Sequence, residues 1–101
     1  WEVLSPLPAD VAMFVHLLDA GGNIVAQHDG LDAAAETLQP GDRLVQRHVL
    51  NLPVLDSGDY TVVAGLYRRG DEARLATTDG SGVAELGNCH VAGPGQACRL
   101  R

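Results

Sequence analysis

Residues Val11 to Leu18 alternate between two apolar sets, Val11, Met13, Val15 and Leu17 against Ala12, Phe14, His16 and Leu18. An extended segment with apolar side chains on both faces is the pattern of a central strand covered on two sides. Asp19-Ala20-Gly21-Gly22-Asn23 supplies positive-φ positions and local side-chain hydrogen bonds for a tight reversal, and Ile24 to His28 resumes the strand pattern, so the two runs predict a β-hairpin. After Gln39-Pro40-Gly41-Asp42, a third strand is expected over Arg43 to Leu52, with Leu44, His48, Leu50 and Leu52 on one parity. The turn cluster Asp56-Ser57-Gly58-Asp59 introduces Tyr60 to Tyr67, whose β-branched and aromatic density predicts a fourth strand. A polar loop at Arg68 to Glu72, a short return at Ala73 to Thr77 and a terminal strand around Asn88 to Val91 complete the series. The alanine-rich Leu31 to Leu38 is too short to hold a helix alone and reads as a loop with at most one turn.

Short strands at roughly ten-residue spacing, each bounded by Gly, Pro, Asp or Asn, predict an all-β fold: an antiparallel Ig-like β-sandwich over residues 1–91 with a tail over 92–101. Tyr60, at a strand start just after Gly58-Asp59, either forms a tyrosine corner or simply packs on the sheet.

At 101 residues the chain has room for one domain. Its longest apolar run is interrupted by His16 and falls far short of the roughly 20 residues of a spanning helix. Thirteen acidic residues oppose seven basic ones, all Arg, for a net charge of −6, which argues against a nucleic-acid partner. The chain starts at Trp1 without a charged or apolar leader pattern and reads as an excised piece.

Cys89 and Cys98 are disulfide candidates, and their oxidation would favour an extracytoplasmic location. Zinc held by these thiols and His90 is the competing reading, against which stand the spacing and the missing fourth ligand. His16, His28 and His48 lie on three predicted strands and would form a zinc or copper site if they converged, whereas isolated histidines on half-buried strands are more often structural. Asp19, Asp29, Asp32, Glu36 and Asp42 gather near the loops of one end but lack the Asp-x-Asp-x-Asp-Gly run of a calcium loop. None of Ser5, Ser57 and Ser81 occupies a Gly-x-Ser-x-Gly elbow, so no intrinsic catalysis and no cofactor is expected.

A set of motifs in fixed order carries a resemblance: Phe14-Val15-His16-Leu17-Leu18-Asp19 with Gly22 to Gly30, then Leu38-Gln39-Pro40-Gly41-Asp42, Leu50-Asn51-Leu52-Pro53, Gly58-Asp59-Tyr60 through Gly65-Leu66-Tyr67, and Arg74-Leu75. In this arrangement the chain resembles the soluble C-terminal β-sandwich domain of bacterial protein-O-mannosyltransferase-like multi-pass membrane glycosyltransferases. Alanines between Asp32 and Leu38 stand where that pattern has a Pro and a Trp. The resemblance aligns Trp1 with a preceding strand, implying that one or more N-terminal strands are missing. It further implies a non-catalytic, extracytoplasmic accessory domain tethered through its parent chain, whose partner is the membrane-embedded part; a glycan partner is expected by analogy with sandwich domains that grip polysaccharides. The catalytic residues of such enzymes lie in the membrane part. Tyr67, Arg68, Arg69 and Asp71 are the candidate contact patch, since a phenol ring beside guanidinium groups suits sugar stacking and hydrogen bonding. A free-standing Ig-like protein-interaction domain and a small His-based metal hydrolase are the alternatives.

Overall fold

A computed structural model describes residues 1–31, 37–45, 47–77 and 79–94. Four antiparallel strands, β1 (Val11–Leu18), β2 (Ile24–Gly30), β3 (Gly58–Arg68) and β4 (Ala84–Val91), form one sheet in the order β2-β1-β3-β4, and no α-helix occurs among the described residues. The β1–β2 hairpin closes as its sequence predicts. Asp19 accepts from the backbone N–H groups of Gly21 and Asn23 through Oδ1, at 3.0 and 2.9 Å, and Gly22 takes a φ of 82° that side chains resist.

Register assigns the faces, because directly paired residues in an antiparallel ladder share a side. Val15 pairs with Ala64 and His28, Leu17 with Val62 and Ala26, and Tyr60 with Cys89. These positions make one face, and its core cluster is Val15, Leu17, Leu55, Tyr60, Val62, Ala64, Cys89 and Val91. Leu55 belongs to none of the four strands. It comes from the connection between β2 and β3, which must pass β1 to join strands that are not neighbours and thereby covers this face. Tyr60 both packs in the core and donates its phenol O–H to the Asp56 carbonyl at 2.8 Å, the geometry of a tyrosine corner.

The expected third strand is corrected. Over the described residues of Arg43 to Leu52 the structure has a single bridge, Arg43 to Glu2. Around it Trp1 and Leu44 exchange both backbone hydrogen bonds, at 2.9 and 2.7 Å, and Val3 bonds Asp42 and Gly41, so a short antiparallel ribbon forms. Beyond it His48 and Leu50 are half-buried and Val45, Arg47 and Val49 are exposed, while Leu52, expected on the inward parity, is exposed as well. The predicted return at Ala73 to Thr77 is likewise reduced to one bridge, Arg74 to Tyr67, with Arg68 N–H on Ala73 and Leu75 N–H on Leu66. The terminal strand is longer than expected, beginning at Ala84, and Leu86 bulges out of its register with β3.

Candidate functional site

The second face of the sheet carries Ala12, Phe14 and His16 from β1, Asp29 and Gln27 from β2, and Val63, Gly65 and Tyr67 from β3. Phe14 lies directly opposite Gly65. A Cβ at position 65 would stand 2.5 Å from Phe14 Cζ and 2.7 Å from the Gly82 carbonyl, so only glycine admits the ring across β3. The buried Phe14 ring thus forms a floor, with His16 at 4.6 Å and Tyr67 at 6.3 Å between centroids and the Arg74 guanidinium over it at 4.8 Å.

Around that floor Phe14, His16, Asp29, Tyr67, Glu72 and Arg74 line an open recess of about 220 Å³. Each side chain is placed by a local reason. Tyr67 donates its O–H to Asp29 Oδ2 at 2.9 Å across two strand spacings. Arg74 reaches inward because the hairpin after β3 folds back by its bridge to Tyr67. Glu72 sits in that hairpin with a φ of 58°, and Asp10 caps the same turn, taking the Gly70 N–H on Oδ2 and the Arg69 N–H on its carbonyl. The Asp29 hydrogen bond, aided by burial, pushes the Tyr67 phenol above its ordinary range. Burial lowers the His16 imidazole; Asp29 opposes that shift and Arg74 adds to it, so the ring offers one donor and one acceptor near neutrality. The recess thus sets two carboxylates and a guanidinium around a phenol and an imidazole, so its rim offers both hydrogen-bond donors and acceptors.

The candidate patch of the hairpin divides. Tyr67 turns into the recess, whereas Arg68 shares the opposite face with Val11 and pairs with Asp71. Arg69 is exposed at the turn, and the Ala73 backbone, more than Arg68, holds the Asp71 carboxyl below its ordinary range. Phe14, Glu72 and Arg74 were not among the candidate site residues, and Asp29 was read only with the acidic loops. The only signal for them was β1 parity combined with a register against β3 that no local motif encodes.

The three histidines do not converge. His28 pairs with Val15 and His16 with Gln27, so adjacent β1 positions put the two imidazoles on opposite faces. His28 meets His48 instead, Nδ1 to Nδ1 at 2.7 Å. No group of three or more His, Cys, Asp or Glu able to hold a metal occurs among the described residues. His90 pairs with Asp59 at 2.8 Å. Cys89 is buried and is not a free thiol, and Cys98 lies outside the described residues. Of the acidic group, Asp19 is consumed by its turn, Asp42 accepts the Gln39 N–H at 2.8 Å and Asp29 faces Tyr67, while Asp32 and Glu36 lie outside the described residues. No described helix is long and apolar enough to cross a membrane. Compared with protein-family models, curated proteins and solved structures, the chain matches none.

Proposed function

We propose that this domain is a non-catalytic, extracytoplasmic Ig-like β-sandwich module that serves a membrane glycosyltransferase-like parent by holding a glycan in the Phe14–Tyr67–Arg74 recess. The recess carries the reading. Its volume is on the scale of one sugar ring; Asp29 and Glu72 can accept from vicinal hydroxyls, Arg74 can donate in a fork, and the Tyr67 ring provides an edge for a sugar face. Leu55 in the core cluster, Leu50 packed against it and the Tyr60 hydrogen bond to Asp56 support a sandwich in which the segment between β2 and β3 covers the sheet. An oxidised Cys89 favours a location outside the reducing cytoplasm.

The test is an amide-resolved NMR titration with neutral hexose oligosaccharides at millimolar concentration. Shifts at Phe14, Asp29, Tyr67 and Arg74 that vanish in Arg74→Ala, with the remaining spectrum unchanged, are expected. A spectrum unmoved by every sugar overturns the reading.

A second reading, a protein-interaction domain, draws on the exposed apolar residues Val45, Val49, Leu52 and Val54 along one segment. Its discriminator is docking on the membrane-embedded part of the parent, lost in a Val45→Asp, Val54→Asp double variant that still binds sugar.

A further inference from the structure

His28 stands on edge strand β2 and His48 on the segment that covers the core face, and their Nδ1 atoms lie 2.7 Å apart with the rings edge to face at 74°. On its other side the His48 ring places Nε2 2.9 Å from Met13 Sδ. A thioether sulfur only accepts, so in the tautomer that carries its proton on Nε2 His48 donates to Met13 and turns its Nδ1 lone pair toward His28. Met13 itself is almost wholly buried, at 2% exposure, and anchors that orientation. The pair is a hydrogen bond as long as His28 carries its proton on Nδ1; when solvent exchange moves that proton to Nε2 of the exposed ring, two imidazole lone pairs from different segments face one small space.

We propose that His28 and His48 form a two-imidazole clip for a divalent transition metal, with Cu²⁺ as the ion its spacing fits. Imidazole–metal bonds of about 2.0 Å place two nitrogens roughly 2.8 Å apart when they are cis in a square plane, and roughly 3.3 Å apart when they are tetrahedral. The observed 2.7 Å matches the square-planar pair. Loading then requires a tilt of the rings, with no separation of β2 from the segment carrying His48. His28 is exposed, so water can complete the coordination plane. Buried Met13 fixes His48 through its second nitrogen, the arrangement by which outer partners orient metal-ligating histidines. Because the clip joins the edge strand to the covering segment, bound metal resists their parting.

The experiment is a titration with Cu²⁺ and separately with Zn²⁺, read by histidine NMR signals and by nitrogen hyperfine structure in the copper electron paramagnetic resonance spectrum. One equivalent of Cu²⁺ is expected to broaden His28 and His48 first, to show two coordinated nitrogens, and to bind more tightly than Zn²⁺. His28→Gln and His48→Gln each lose the two-nitrogen spectrum, and His90→Gln keeps it. Earlier broadening of His16 or His90, a two-nitrogen spectrum surviving in His28→Gln, or Zn²⁺ binding as tightly as Cu²⁺ overturns the proposal. His28 is solvent-exposed, so its variant decides the matter even if His48→Gln fails to fold.

Discussion

The Tyr60 phenol reaches past the start of its own strand to the Asp56 carbonyl, fastening the end of the covering segment to the sheet. Asp56 is exposed, so water can replace the lost partner, and Tyr60→Phe is expected to cost about 1 kcal/mol in urea denaturation with the fold retained. An unchanged midpoint would mean that ring packing alone holds this corner. Gly58-Asp59-Tyr60 raised the corner as one of two readings, because turn and aromatic are sequence neighbours, and the structure has the ring both packed and bonded. The fate of His16 and His28 was not visible in that way. One position of register decides which face each imidazole takes, and the bulge beside Leu18 shows that the register is not a simple continuation of the turn. Phe14 was likewise legible as apolar but not as a floor, since that role depends on Gly65 lying opposite it.

At the scale of elements, β1 and β3 followed the predicted bounds closely because their apolar residues serve two faces and leave no alternative placement. The run Arg43 to Leu52 had the same alternation but did not become a strand. Alternation reports which side chains turn inward; a ladder also needs a neighbouring backbone, and among the described residues the pairing found is the ribbon with Trp1 to Val3. Burial therefore carries this segment, and adjacent residues within it should respond very differently. Leu55, 5% exposed in the core cluster, is expected to lose about 2–5 kcal/mol on change to Ala, while neighbouring Val54, 77% exposed, should stay within about 0.5 kcal/mol. Equal effects in paired denaturation curves would show that the segment does not pack as a second layer.

For the molecule as a whole, acid is the expected weakness. Asp79 accepts from the Thr77 and Ser81 hydroxyls and the Ser81 N–H, which lower its carboxyl to about 2, and backbone N–H groups also lower Asp19 and Asp71. Carboxyls depressed in the folded state add stability that is complete above their unfolded values near 4 and is lost as pH falls through the folded ones. The urea midpoint should therefore drop between about pH 4 and pH 2, and Asp79→Asn should flatten that drop. A drop of the same size in Asp79→Asn would assign the acid sensitivity elsewhere. The sequence by itself determined the all-β class, the hairpin at Asp19 to Asn23, and the strands whose two faces are both apolar, because turn chemistry and side-chain alternation are local properties. Tertiary structure decided which runs found a ladder, which imidazoles met and which polar groups ringed Phe14. Those outcomes depend on the register between β1 and β3, strands separated by the whole crossing connection, and on the backbone available beside each segment, neither of which any short stretch of residues contains.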